Sequence, residues 1–172
     1  MQSIIIRKAT LQDIPEIVIL VNLSYRSQEF RGWTTEADII AGERIQHDQV
    51  KKIIMDNCSN LFLAYTEHHL IGCVHLQIED TYGYIGLLTT HPKIQNQGLG
   101  KKLLHYAECY ALEHDQIRVF KLSVLSTRVE LIAFYERRNY IFTGHIEDYP
   151  LNAQVGIPLN VKIQVFHLKK IV

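Results

Sequence analysis

Three apolar segments sit close together in mid-chain: Leu61 to Tyr65, Ile71 to Ile78 and Tyr84 to Thr90. Five residues join each to the next. A parallel pair needs a crossover of a dozen or more residues, so these strands run as an antiparallel meander. The apolar period then changes from that of a strand to that of a helix. Between Gly98 and His114, Leu99, Leu103, Ala107 and Ala111 line one helical face, with Leu104 and Leu112 beside it. Every other assignment has to fit a meander that feeds a long amphipathic helix.

Upstream, Ile4 to Ile6 reads as a first strand. Thr10 with Asp13 forms a capping pair, Pro15 is tolerated in a first turn, and Ile14, Ile17, Val18 and Val21 recur at helical spacing. A second helix is expected to begin near Thr34 or Thr35, with Glu36 and Asp38 suited to its positive end, and 46–57 continues helical. Downstream, Val119 to Leu125 is a strand, 129–138 a helix, Tyr140 to Gly144 the start of a strand, and Val161 to Leu168 a last one. The order predicts one mixed α/β domain over 1–172, a mostly antiparallel central sheet flanked by helices, without a repeated Rossmann unit.

Eighteen lysines and arginines balance eighteen aspartates and glutamates, which argues against a general nucleic-acid binder. No apolar run reaches the roughly 18 residues of a membrane span. Cys58, Cys73 and Cys109 are too far apart for a zinc knuckle and odd in number, which fits a reduced, cytoplasmic protein. The nine histidines are scattered without a tight ligand pattern, so no metal is expected.

Two stretches carry chemistry. Asn96 to Lys102, NQGLGKK, places Gly98 and Gly100 between a strand end and a helix start. Free amides at a helix N-terminus donate to phosphate oxygens, glycines let a ligand approach, and Lys101 and Lys102 add charge. The string matches neither GxGxxG nor GxxxxGK[ST], so an unliganded turn-to-helix junction stays open beside phosphate recognition. The second stretch runs from Arg128 to Tyr140. Leu131 and Phe134 face the core at i,i+3, and Tyr135 either projects to a cleft as a proton donor or only packs its ring.

Together, Gln95-Asn96-Gln97-Gly98-Leu99-Gly100 and Phe134-Tyr135-Glu136-Arg137-Arg138-Asn139-Tyr140 resemble the GNAT N-acetyltransferase superfamily. The resemblance implies that acetyl-CoA is the cofactor and that amides around Gln97, Gly98, Gly100 and Lys101 cradle its pyrophosphate, with Gln95 first in the motif. It also implies that Leu88 and Thr90 offer backbone bonds to the pantetheine arm, and that Tyr135 is the general acid for the departing thiolate. Arg128 stands where many members carry an asparagine and would reach phosphate or ribose. Leu131 replaces a common small residue. Asn139 takes the usual glycine position, and asparagine tolerates a left-handed backbone.

The expected reaction is direct attack by a neutral amine on the thioester. Glu79, with Asp80 its closest competitor, is the candidate base, and Tyr82 the candidate to orient the acceptor; a solvated turn is the plain alternative. Cys73 reads as core packing rather than as an acyl carrier. Around the acceptor, Trp33 and Tyr25 are expected as walls, Glu36 to attract an amine, Arg44 to hold a carboxylate, and Tyr149 to close the far side. These groups suit a small polar or amino-acid-like amine. A protein amine, another acyl group and an acyl-CoA sensor stand as alternatives, and fold analogy makes a homodimer plausible.

Overall fold

In the computed structural model, which describes residues 3–159 and 162–172, the chain runs through nine strands and four α-helices. They are β1 (Ile4–Lys8), α1 (Ile14–Arg26), β2 (Ile40–Ala41), α2 (His47–Met55), β3 (Ser59–Thr66), β4 (His69–Ile78), β5 (Gly83–Thr90), α3 (Leu99–Asp115), β6 (Val119–Leu125), α4 (Val129–Glu136), β7 (Ile141–Asp148), β8 (Ile157–Pro158) and β9 (Gln164–Ile171). Seven strands form one sheet in the order β1-β3-β4-β5-β6-β9-β7, antiparallel throughout except between β5 and β6. The mixed, mostly antiparallel sheet expected from the short connections is the observed fold.

Strand alternation divides the core. Phe62 and Ala64 join Val74, Leu76, Phe120 and Leu122 against Leu103, Leu104 and Ala107 of α3. Leu61, Leu63 and Cys73 face the other way, onto Ile17 and Val21 of α1 and Val50 of α2. Asp13 locks the entry to α1. Its carboxylate accepts from the Thr10 N–H at 2.7 Å and from Arg7 Nη1 at 2.8 Å, and the guanidinium holds it well below the usual carboxylate range.

The feature that makes a site lies on β5. Cys73 pairs with Thr89 but His75 with Gly86, so β5 carries one more residue than β4 between those pairs. Leu87 absorbs it with φ +46°. Pairing with β6 covers only Gly83, Tyr84 and Ile85, and beyond Ile85 the two parallel strands part.

Two expectations change. No helix begins at Thr34. The chain turns there, with Ile40 N–H donating to the Glu36 carbonyl at 2.9 Å, and then makes β2. Glu36 points its carboxylate inward to two arginines instead of capping a helix. The last strand is described from Gln164, and Val161 lies outside the described residues. No helix among the described residues is long and apolar enough to cross a membrane.

Candidate active site

Where β5 and β6 part, main-chain polar groups lose their strand partner. His91 N–H bonds back to Ile71 of β4 at 2.9 Å, so by alternation Thr90 and Leu88 face the opening. Side chains of α1 reach them there. Tyr25 Oη donates to the Leu88 carbonyl at 3.3 Å and Ser24 Oγ to the Thr90 carbonyl at 3.2 Å.

The turn after β5 prepares an anion cradle. Asn96 and Gly98 both take left-handed conformations, φ +64° and +80°, which reverse the chain into α3. The first helical bond runs from Lys102 N–H to the Gly98 carbonyl at 3.0 Å. The N–H groups of Leu99, Gly100 and Lys101 lie ahead of that bond and point out of the helix start. A Cβ on Gly98 would meet nothing within 4 Å, whereas one on Gly100 would touch Phe134 at 3.6 Å. The space before Gly98 is open because a ligand-sized gap lies there.

That gap is a cavity of about 340 Å³ lined by Leu88, Thr90, Gln95, Asn96, Gly98, Gly100, Lys101 and Arg128. Arg137 and Arg138 of the segment after α4 also line it, and neither was singled out from the sequence. Arg138 stacks over the Phe134 ring at 3.6 Å, and its buried Nε has no hydrogen-bond partner. A row of adjacent basic residues at a helix end was the signal available. Open space, free amides and the cations of Lys101, Arg137 and Arg138 fit a polyphosphate. Gln97 and Lys102 do not line the cavity; the Lys102 side chain is exposed, and its amide is spent inside α3.

A second cavity of about 360 Å³ opens on the other side of the parted strands. Tyr25, Leu88, Arg128 and Leu131 line both. Tyr135 belongs to the second, with Arg44, Tyr84, Glu147, Tyr149 and His167. Tyr135 is buried, and burial raises its pKa, so the phenol keeps its proton at neutral pH. Tyr149 Oη donates to the Val155 carbonyl at 2.9 Å, which pins the late loop over the cavity. Asn139 closes the turn between α4 and β7 with φ +67°, the left-handed conformation that an asparagine takes in place of glycine.

Five further sequence expectations are corrected. Glu79 is exposed on the β4–β5 hairpin and lines neither cavity. From Gly83 to Leu88 the strand runs roughly 16 Å, so the Glu79 carboxylate sits at the wrong end of β5 to act as base. Tyr82 shares that hairpin, carries Lys121 Nζ over its ring at 3.6 Å and lines neither cavity. Trp33 lines the first cavity, 6.3 Å from Phe134, and so flanks the cradle rather than the acceptor. Glu36 lines the second cavity as expected, but its carboxylate is buried between Arg26 and Arg128, with Arg128 Nη1 at 2.8 Å, so its charge is already matched. That pairing also occupies Arg128, whose Nε donates to Thr34 Oγ1 at 3.2 Å, and removes it as a free phosphate ligand.

Gln95 is a strut. Its Oε1 accepts from Trp33 N–H at 2.9 Å, its Nε2 donates to Thr90 at 3.2 Å, and its side chain fills the space over Gly32. Cys73 is fully buried and its thiol is pushed up to about 12, which leaves no thiolate for acyl transfer.

A strand bulge that opens one side of a sheet onto a helix-start anion cradle marks a site for a phosphate-bearing ligand, and the sequence comparison gives its family. The profile of the acetyltransferase (GNAT) family matches residues 21–140, and the chain belongs to that family. Membership supports acetyl-CoA-dependent acyl transfer to an amine as the general activity. The PaiA N-acetyltransferase from Thermoplasma acidophilum, solved in complex with coenzyme A, superposes with TM-score 0.76 at 20% identity over 99% of both chains. The ribosomal-protein-S18-alanine N-acetyltransferase from Escherichia coli gives 0.75 at 14% identity, covering 99% of this chain and 94% of that one. A GNAT family acetyltransferase from Elizabethkingia anophelis with acetyl-CoA bound gives 0.71 at 18% identity over 100% of both. At these identities the likeness is one of fold.

Proposed function

We propose that the protein transfers acetyl from acetyl-CoA to the primary amine of a small, amino-acid-like acceptor, by direct attack within a ternary complex. The observation that carries this reading is that two cavities of similar size meet at Leu88, one with an anion cradle and the other with a buried phenol. Acetyl-CoA supplies an activated thioester, and in two relatives' structures coenzyme A or acetyl-CoA is the bound ligand. In this chain the amides of Leu99, Gly100 and Lys101, with Lys101, Arg137 and Arg138, would hold the phosphates. Main-chain groups of Leu88 and Thr90 would align the pantetheine arm, which supplies placement rather than chemistry.

Tyr135 would give its proton to the sulfur as the C–N bond forms and the C–S bond breaks. The nitrogen's own proton passes to water, from which the phenol is restored. Arg44 supports a carboxylate on the acceptor. It lines the second cavity over the Tyr25 ring, 5.4 Å away, and forms no ion pair with a carboxylate among the described residues. The proposal carries with it a cytoplasmic location and a soluble partner rather than nucleic acid or membrane, with a homodimer on fold analogy.

The test is acetyl transfer to a panel of amino acids and diamines by intact protein and Tyr135→Phe. A loss of about 10²- to 10⁴-fold in kcat with acetyl-CoA affinity retained is expected. Acetyl-CoA binding without transfer to any amine would favour a sensor, and unchanged turnover in Tyr135→Phe would remove the phenol from the mechanism.

A further inference from the structure

We propose that His145, Glu147 and His167 form a binding site for a divalent transition cation of the zinc class, on the rim of the acceptor-side cavity. The binding step does not depend on the transferase reading. Strand β7 is the sheet edge, and it pairs with β9 through Ile146↔Phe166 and Glu147↔Val165. Alternation puts His145 and Glu147 on one face, and the register puts His145 beside His167.

A bulge sharpens this. Phe142 pairs with Leu168 but Ile146 with Phe166, so β7 carries two extra residues between those pairs. Gly144, at φ +84°, makes the bend. Thr143 Oγ1 pins it, donating to the His167 carbonyl at 2.9 Å and accepting from the His145 N–H at 3.2 Å. The result stacks the two imidazoles with centroids 4.5 Å apart and planes 17° from parallel. Bulges re-aim side chains, and this one aims His145 at His167.

The two histidine-to-carboxylate spacings suit a metal. His145 Nε2 lies 3.3 Å from Glu147 Oε1, and His167 Nε2 lies 3.1 Å from Glu147 Oε2. One ligand atom from each residue falls within 4.8 Å of the others. Around a tetrahedral ion with bonds of about 2.0–2.1 Å, neighbouring ligand atoms stand about 3.3 Å apart.

His167 is also braced from behind. Its Nδ1 is 3.1 Å from Ser123 Oγ, which accepts from Tyr84 Oη at 2.7 Å. With Nδ1 engaged by Ser123, Nε2 is the nitrogen left to ligate. That Nε2 is buried, beside a carboxylate, and has no aligned hydrogen-bond partner. A cation between the two groups satisfies both.

Two imidazoles and one carboxylate select zinc, nickel or cobalt over magnesium or calcium, which prefer all-oxygen shells. Three protein ligands leave a fourth position for water or an acceptor atom. Glu147 and His167 both line the acceptor-side cavity, so that position borders the space where an acceptor would sit.

The experiment is calorimetry of the full chain, stripped with chelator and without coenzyme A, titrated with ZnCl2 and separately with MgCl2. One equivalent of zinc and no magnesium uptake is expected. His145→Asn and Glu147→Gln should each abolish uptake, and Ser123→Ala should weaken it about 10- to 100-fold through the lost brace. Cobalt(II) should give the intense visible bands of four-coordination. His145 and Glu147 are exposed, so these variants should keep the native melting midpoint in chelator. The proposal falls if zinc uptake is not saturable. It also falls if uptake persists unchanged in His145→Asn and Glu147→Gln, the mark of adventitious binding such as by His105 and Cys109 on α3.

Discussion

Substitution of Gly98 separates the cradle from the fold, because the same position makes different demands on each. Leucine there must take φ +80°, which costs an L-residue about 1–2 kcal/mol. Its Cβ meets nothing within 4 Å, so no packing penalty is added. Gly98→Leu should therefore fold, with a melting midpoint lowered by roughly 2–8 °C. The side chain would occupy the space ahead of the Leu99, Gly100 and Lys101 amides, where a pyrophosphate would be held.

Each charge-assisted hydrogen bond is worth about 1.5–3 kcal/mol, and losing two amounts to about 3–6 kcal/mol. Acetyl-CoA affinity should fall roughly 10²- to 10⁴-fold. Gly144→Leu is the matched control: φ is +84°, its Cβ is equally unhindered, and it lies on β7 away from the cradle. Calorimetry with acetyl-CoA and ligand-free melts on both variants make the test. If Gly98→Leu binds acetyl-CoA within tenfold of Gly144→Leu, the helix start is not the phosphate site.

Glu36→Gln should lower the melting midpoint by roughly 6–12 °C, from about 3 kcal/mol lost when two buried guanidiniums face an uncharged partner. A raised acceptor KM with an unmoved midpoint would instead return Glu36 to acceptor binding. His75 is half-buried against Ser59 Oγ at 2.6 Å, and desolvation pushes it down to about 4. Between the unfolded value of 6.5 and about 4 the unfolded chain binds the extra proton, so stability falls with pH across that window. By pH 5 the His75 contribution is about 2 kcal/mol. Urea unfolding at pH 7.5 and 5 should show a shallower loss for His75→Gln, and equal slopes would refute the assignment.

The parts legible in the sequence are those whose causes are local. Short connections dictate the meander, the change of apolar period marks α3, and Asn139 accepts a left-handed turn on its own chemistry. The bulge on β5 left no such mark, because a leucine rather than a glycine takes the positive φ at position 87. The misplaced helix at Thr34 has a tertiary cause. Its acidic start was a cap only in the absence of Arg128, which lies 92 residues away and claims the Glu36 carboxylate. Glu79 looked available as a base because a sequence carries no distance along β5.

The two halves of the site are encoded differently, and that has a consequence. The cradle's amides and Lys101 come from one stretch, Leu88 to Lys101, with Arg137 and Arg138 joining from after α4, whereas the acceptor wall gathers Arg44, Tyr84, Ser123, Glu147, Tyr149 and His167 from separate segments. Arg26 Nη2 ties that wall together across 129 residues by donating to the Val155 carbonyl at 2.6 Å, and β2 pairs with β8 beside it. A change in one wall residue alters the acceptor space without touching the amides at Gly98. Arg44→Met keeps the aliphatic stem over Tyr25 and removes the charge, so acetyl-CoA affinity should stay within about twofold. The KM for a carboxylate-bearing amine should rise about tenfold or more, the worth of a lost charge-assisted hydrogen bond of about 1.5–3 kcal/mol. The KM for a diamine should not rise. Steady-state kinetics with both acceptors measures this, and an equal rise for both would show that Arg44 shapes the wall rather than reads a carboxylate.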